Sequence, residues 1–132
     1  MDIVFRDIDD IVMLDNIGIL KDAGTIGHRI ITTDLVLNSF GDNAHIVYSL
    51  INEKKITVIS FNGQDVFEIK KIYDAKKNQI SIADCSTIYC TKIMNGILIT
   101  NEQILLNISA TYNLKSYTAI VYFEKIKLLN TG

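Results

Sequence analysis

The sequence predicts an α/β protein, a three-layer α/β/α sandwich around a short, mostly parallel sheet. Three observations lead there. Short apolar runs alternate with longer amphipathic segments along the whole chain, and strands separated by helices pair in parallel with helices on both faces. One run, Ile97-Leu98-Ile99, is apolar without alternation, as a central strand covered on both sides should be. The 132 residues, 48% hydrophobic, suffice for one sizeable core and are too few for two ordinary ones, so residues 1–132 are expected to form a single domain.

Ile3, Val4 and Phe5 make the first strand, which runs into Asp7, Asp9 and Asp10. From Asp9 or Asp10, Ile11, Val12, Leu14 and Ile17 recur at helical spacing until Gly18 interrupts ahead of Ile19-Leu20 and a loop from Gly24 to His28. Either aspartate is suited to cap that helix and favour its positive end. Arg29 to Thr32 reads as the second strand, and Thr33-Asp34 as the cap of a helix carrying Leu35, Val36, Leu37 and Phe40. Asn43 to Asn52 makes the next helix, with Ile46, Val47, Leu50 and Ile51 inward, and Ile56 to Ile59 the third strand. After Asn62-Gly63 comes a helix from about Asp65 to Lys77, with Val66, Ile69, Ile72 and Tyr73 inward and Lys70, Lys71, Lys76 and Lys77 outward.

The stretch Ile80 to Glu102 organises the remainder. Ser81-x-x-Asp84 has the spacing of a capping box, and Ile82, Cys85, Ser86, Tyr89 and Ile93 form one helical stripe, with Asp84, Thr87, Thr91 and Lys92 off it. Asn95-Gly96 ends the helix, glycine tolerating the left-handed exit. The strand Ile97–Ile99 then delivers Thr100, Asn101 and Glu102 to its carboxyl end, the edge where open α/β sheets bind ligands. A helix from about Glu102 to Tyr112, a left-handed stop at Asn113, a strand near Leu114 to Tyr117 and a closing helix with Ile120, Val121, Phe123, Ile126 and Leu128 complete the alternation.

Composition excludes several classes. There is no proline and no low-complexity segment, so neither an internal linker nor a disordered tail is expected. No run approaches the roughly 18 apolar residues of a membrane helix. The acidic start MDIVFRDIDD lacks the basic region of a signal peptide, so a cytoplasmic protein without membrane contact is expected. Cys85 and Cys90 lie five apart on one helix and face different ways, which suits buried packing better than a disulfide or shared metal. His28 and His45 have no partner at metal spacing. A formal charge of −2 gives no global attraction to nucleic acid, so a polyanionic partner needs a local basic face; the four outward lysines are the candidate, or simply a solvated surface.

The run from Ile80 to Tyr112 resembles the carboxyl-terminal half of PIN-domain nucleases, VapC-like toxin ribonucleases among them: a serine-capped helix with an early aspartate, then a hydrophobic strand leading to threonine, a small residue and an acid. The first strand, delivering Asp7, is similar to the same family, although Asp9 stands where a small hydroxyl or amide residue is usual. The resemblance implies that Asp7, Asp84 and Glu102 converge as catalytic and metal-binding residues. Three converging carboxylates repel one another and normally take a hard cation, Mg²⁺ or Mn²⁺. Asp7 and Asp84 would be direct ligands and Glu102 a direct or water-mediated one. The metal would activate water and steady the phosphate in RNA hydrolysis. The implied partners are RNA, an antitoxin protein and a second copy of the chain. The family's further glutamate is absent: Asn38 and Ser39 occupy its place, and Asp42 is the nearest acid. Two functions from different classes therefore stand, a metal-dependent endoribonuclease of a toxin–antitoxin pair, or a degenerate PIN-like binding or interaction module. A receiver domain built on Asp9-Asp10 is a third, weakened because no phospho-acceptor aspartate ends the third strand and no lysine ends the last.

Overall fold

The computed structural model describes residues 1–41, 44–77 and 79–130, with only the backbone of Ala44. In order the elements are β1 (Asp2–Phe5), α1 (Ile8–Asn16), α2 (Ile19–Thr25), β2 (Arg29–Thr33), α3 (Asp34–Phe40), α4 (Ala44–Asn52), β3 (Thr57–Ile59), α5 (Gly63–Ala75), α6 (Ile82–Met94), β4 (Ile97–Ile99), α7 (Gln103–Thr111), β5 (Lys115–Tyr117) and α8 (Ala119–Asn130). The expected helix from Asn43 thus begins at Ala44 within the described residues.

The five strands form one parallel sheet in the order β3-β2-β1-β4-β5. The register pairs Ile3 with both Ile30 and Ile97, and Val4 with both Ile31 and Leu98. Alternation along the strands sorts the core into two layers. Ile3, Phe5, Ile30 and Ile99 pack with α1, α2, α4 and α8, while Val4, Ile31 and Leu98 pack with α5, α6 and α7. The three-layer α/β/α sandwich expected from the alternation is the architecture found, with β1 central and β4 beside it. Ile97, expected to be fully buried with its neighbours, is only half-buried; Leu98 and Ile99 are sealed.

Helix faces depart further from expectation. On α6, Ile82 and Ile93 are exposed, whereas Asp84, Thr87 and Thr91 are buried with Cys85, Ser86 and Ile88. The hydroxyls solve their own desolvation: Thr87 Oγ1 donates to the carbonyl of Asp84 at 2.7 Å, and Thr91 Oγ1 to that of Thr87 at 2.7 Å. Bonded to their own helix, they pack like valines. Both cysteines are free and buried. Ile46 on α4 and Val66 on α5, both read as inward, are exposed; on α8 Ile120 and Leu128 are exposed, and Tyr122 and Ile126 anchor the helix. At the exit of α6 it is Asn95 that takes the left-handed conformation, at φ 51, and Asn113 does the same at φ 59, as expected. Gly96 is required for another reason: a Cβ there would meet the Asp2 carbonyl oxygen at 2.5 Å. No helix among the described residues is long and apolar enough to cross a membrane.

Candidate functional site

The strand order reverses between β1 and β4: from β1 the chain builds outward through β2 and β3, then returns to the other side of β1. Such a switch point opens a crevice at the carboxyl ends of the two strands. The residues that follow β1 and β4, namely Arg6-Asp7 and Thr100-Asn101-Glu102, sit at its rim, and the first turn of α6 supplies Asp84.

Asp7 does not close the first strand. Phe5 ends it, and Arg6 extends the ladder by donating its N–H to the carbonyl of Ile99 at 3.1 Å. Asp7 is the N-cap of α1, without a side-chain cap bond, and Asp9 and Asp10, the expected caps, lie in the first turn. Asp84 forms the expected capping box: its Oδ2 accepts from the backbone N–H of Ser81 at 3.1 Å, and Ser81 Oγ accepts from the N–H of Asp84 at 3.0 Å. Glu102 is the N-cap of α7, its side chain exposed.

The three predicted acids do converge, but around an arginine. Arg6 Nε donates to Asp84 Oδ1 at 2.8 Å, Arg6 Nη1 to Asp7 Oδ1 at 2.7 Å, and the same Nη1 stands 3.7 Å from Glu102 Oε1. Burial opposes the guanidinium's charge, but its hydrogen bond and charge pairing with Asp84, then Asp7, outweigh this and hold its pKa above the ordinary value. Asp84, nearly buried, therefore has one oxygen on a helix N-terminus and the other on Arg6. Such charge-assisted bonds are about twice as strong as neutral ones.

Asp10 belongs to the same neighbourhood. Burial first, and then the charge of Asp7, push its pKa up to about 6, against the opposing hydrogen bond from Asn101 Nδ2 at 3.1 Å. Asn101 Oδ1 in turn accepts the N–H of Ala119 at 3.1 Å, so one side chain ties α1 to the head of α8. Below it, Thr33 Oγ1 and Ser86 Oγ, 2.8 Å apart and buried, join β2 to α6.

Ser39 lines a cleft of about 230 Å³ together with Arg6, Asp7, Asp9 and Asp84, its hydroxyl turned back to the carbonyl of Val36 at 2.8 Å. Asp42, the nearest acid in sequence, lies outside the described residues. His28 is drawn away to Tyr122, whose hydroxyl is 2.9 Å from its Nδ1. Among the expected lysines, Lys70 pairs with Asp74 and Lys71 with Glu68 along α5, and Lys76 lies over the Tyr112 ring.

A divalent cation needs several carboxylate oxygens converging at bonding distance. Here Asp84 and Asp7 already give oxygens to Arg6, and no group of three or more His, Cys, Asp or Glu among the described residues is arranged to hold a metal ion. The donor set as it stands does not fit Mg²⁺ or Mn²⁺. Sequence reasoning missed Arg6, and placed Asn101 at this edge without its role between Asp10 and Ala119. The signal for Arg6 was a cation directly after an apolar strand at the binding edge; for Asn101 there was none beyond its position.

No family model matches the chain and no curated protein does. Solved structures are similar throughout its length. VapBC-1 of nontypeable Haemophilus influenzae is similar at 16% identity and a TM-score of 0.61, over 90% of this chain and 98% of that one. PAE2754 of Pyrobaculum aerophilum is similar at 11% identity and a TM-score of 0.64, over 97% and 99%. VapBC2 of Rickettsia felis, bound to a DNA fragment from its promoter, is similar at 17% and 0.59, over 89% and 98%. With the parallel sheet, its switch point and these likenesses agreeing, the fold of this chain is the VapC-type PIN-domain fold.

Proposed function

We propose that the chain is a single PIN-fold domain of a toxin–antitoxin type module that acts by binding a partner protein, its acidic site neutralised from within, in the cytoplasm. One observation carries this reading: the Arg6 guanidinium lies between Asp7 and Asp84, bonded to both. An acidic cluster draws a hard cation because its carboxylates are unpaired; here a covalently tethered cation removes that drive. The absence of the expected glutamate at Asn38-Ser39 supports the same conclusion. The partner follows from the VapBC likenesses, where the similar chains come from two-component assemblies.

A second reading has its own support. Asp7, Asp84 and Glu102 all approach Arg6, Asp7 and Ser39 in one cleft and Glu102 in a neighbouring one, with Asp84 lining both, which favours a metal-dependent endoribonuclease hydrolysing RNA phosphodiester bonds with Mg²⁺ or Mn²⁺ on those acids, as monomer or homodimer. It requires Arg6 to leave them. The deciding experiment measures thermal melting and RNA cleavage with chelator or millimolar Mn²⁺, for wild type, Arg6→Gln and Asp84→Asn. The binding reading expects wild type neither to gain stability from Mn²⁺ nor to cleave, and Arg6→Gln to acquire a metal-dependent gain that Ser39→Glu, added to it, increases. Metal-dependent cleavage by wild type that Asp84→Asn abolishes would establish the nuclease instead.

A further inference from the structure

At the opposite edge of the sheet, where β2 and β3 begin, a cavity of about 490 Å³ opens between the α1–α2 turn, the start of β2 and the loop leaving α4. Its size is that of a small-molecule site, and its chemistry is the reverse of the acidic crevice. Lys21, Arg29, Lys54 and Lys55 line it, with Asp15 the one acid. Two of these cations are occupied: Arg29 pairs with Asp2 at 3.0 Å, and Lys55 with Asp15 and Glu53, each at 3.1 Å. Lys21 and Lys54, from different segments, make no ion pair among the described residues. Lys54 sits in the left-handed region at φ 60, where glycine or asparagine would be the cheaper choice. A concave, cation-lined space with two uncommitted ammonium groups, in a chain of formal charge −2, is an arrangement for an anion.

We infer that this cavity binds a small phosphate-bearing ligand held by Lys21 and Lys54. Lysine serves phosphate as a point charge with three donors, whereas the arginine that would grip a carboxylate bidentately is already committed to Asp2. Phosphate free in solution and phosphate on a nucleotide share this chemistry. The inference does not depend on whether the acidic crevice is catalytic, since no residue is common to the two.

The test is calorimetric titration of the full chain with inorganic pyrophosphate, 5′-AMP and adenosine. Wild type is expected to bind pyrophosphate, and adenosine not at all; binding of AMP identifies a nucleotide site, and its failure beside pyrophosphate binding a free polyphosphate site. Lys21→Gln and Lys54→Asn should each weaken binding about tenfold, the worth of one charge-assisted hydrogen bond. Asparagine keeps the left-handed backbone at 54, so that variant should remain folded. No binding of either phosphate at millimolar concentration, or affinity unchanged in both folded variants, overturns the inference.

Discussion

Arg6 and Asp84, 78 residues apart in sequence, are joined by a 2.8 Å bond from Nε to Oδ1, while the other oxygen of Asp84 closes the cap of α6. One nearly buried carboxylate thus fastens the end of β1 to the head of α6. The acid that the family resemblance implies as a metal ligand has, in the folded chain, one protein donor on each of its two oxygens.

Substitution of Asp84 therefore has a graded expectation. Asp84→Ala loses both the cap and the ion pair and is expected to cost about 2 kcal/mol; Asp84→Asn, whose amide oxygen can still accept from Ser81, should cost about 1 kcal/mol. Urea denaturation in chelator measures both. A crevice of mutually repelling carboxylates predicts the opposite sign for Asp84→Asn, a gain on neutralisation, so the direction alone separates the two pictures.

The pH dependence is governed at this edge by Asp10. Its folded pKa, raised to about 6 from 3.8, means that the native state holds its proton more tightly than the unfolded chain does. Stability contributed by this group is full below 3.8, falls as pH rises toward about 6, and is absent above it. Asp10→Asn keeps an acceptor for Asn101 and removes the charge facing Asp7. The variant is expected to melt above wild type at pH 7 and level with it at pH 4. Equal melting temperatures at both pH values would show that Asp10 is solvated and uncoupled from Asp7.

Much of this was legible in the residues. All five strands were, four because a short, largely apolar run between helical patterns has few other readings and β5, Lys-Ser-Tyr, from its place between two helical patterns after the Asn113 stop. The capping box at Ser81–Asp84 formed as its spacing required. The buried face of α6 was not legible: threonine counts as polar by pattern, yet Thr87 and Thr91 bury their methyls once their hydroxyls bond within the helix. The acids of the site could be named from their places after strands and at a helix head. Their state could not, since it depends on Arg6, whose partner Asp84 is adjacent only after the sheet has formed. Gly96 was read as the left-handed helix stop, a role that Asn95 takes; its own requirement, a steric limit set by Asp2, has no signature in local sequence.

That steric limit gives the last prediction. An alanine Cβ at position 96 would lie 2.5 Å from the carbonyl oxygen of Asp2 and 3.3 Å from its carbonyl carbon. Both are backbone atoms, and Asp2 is fixed through its register with Arg29 and the Arg29 ion pair, so no side chain can swing aside. β4 must then shift away from β1 just ahead of the Ile3–Ile97 pair. Overpacking of this kind is expected to cost about 2 kcal/mol. Gly63→Ala is the control: it stands at the first turn of α5 with nothing within 4 Å of an added Cβ, so the lower backbone entropy of the unfolded alanine chain should leave stability level or raise it by up to about 1 kcal/mol. Thermal melting of the two variants side by side makes the comparison. If Gly96→Ala proves as stable as Gly63→Ala, the close approach of β4 to Asp2 is not a constraint of the fold.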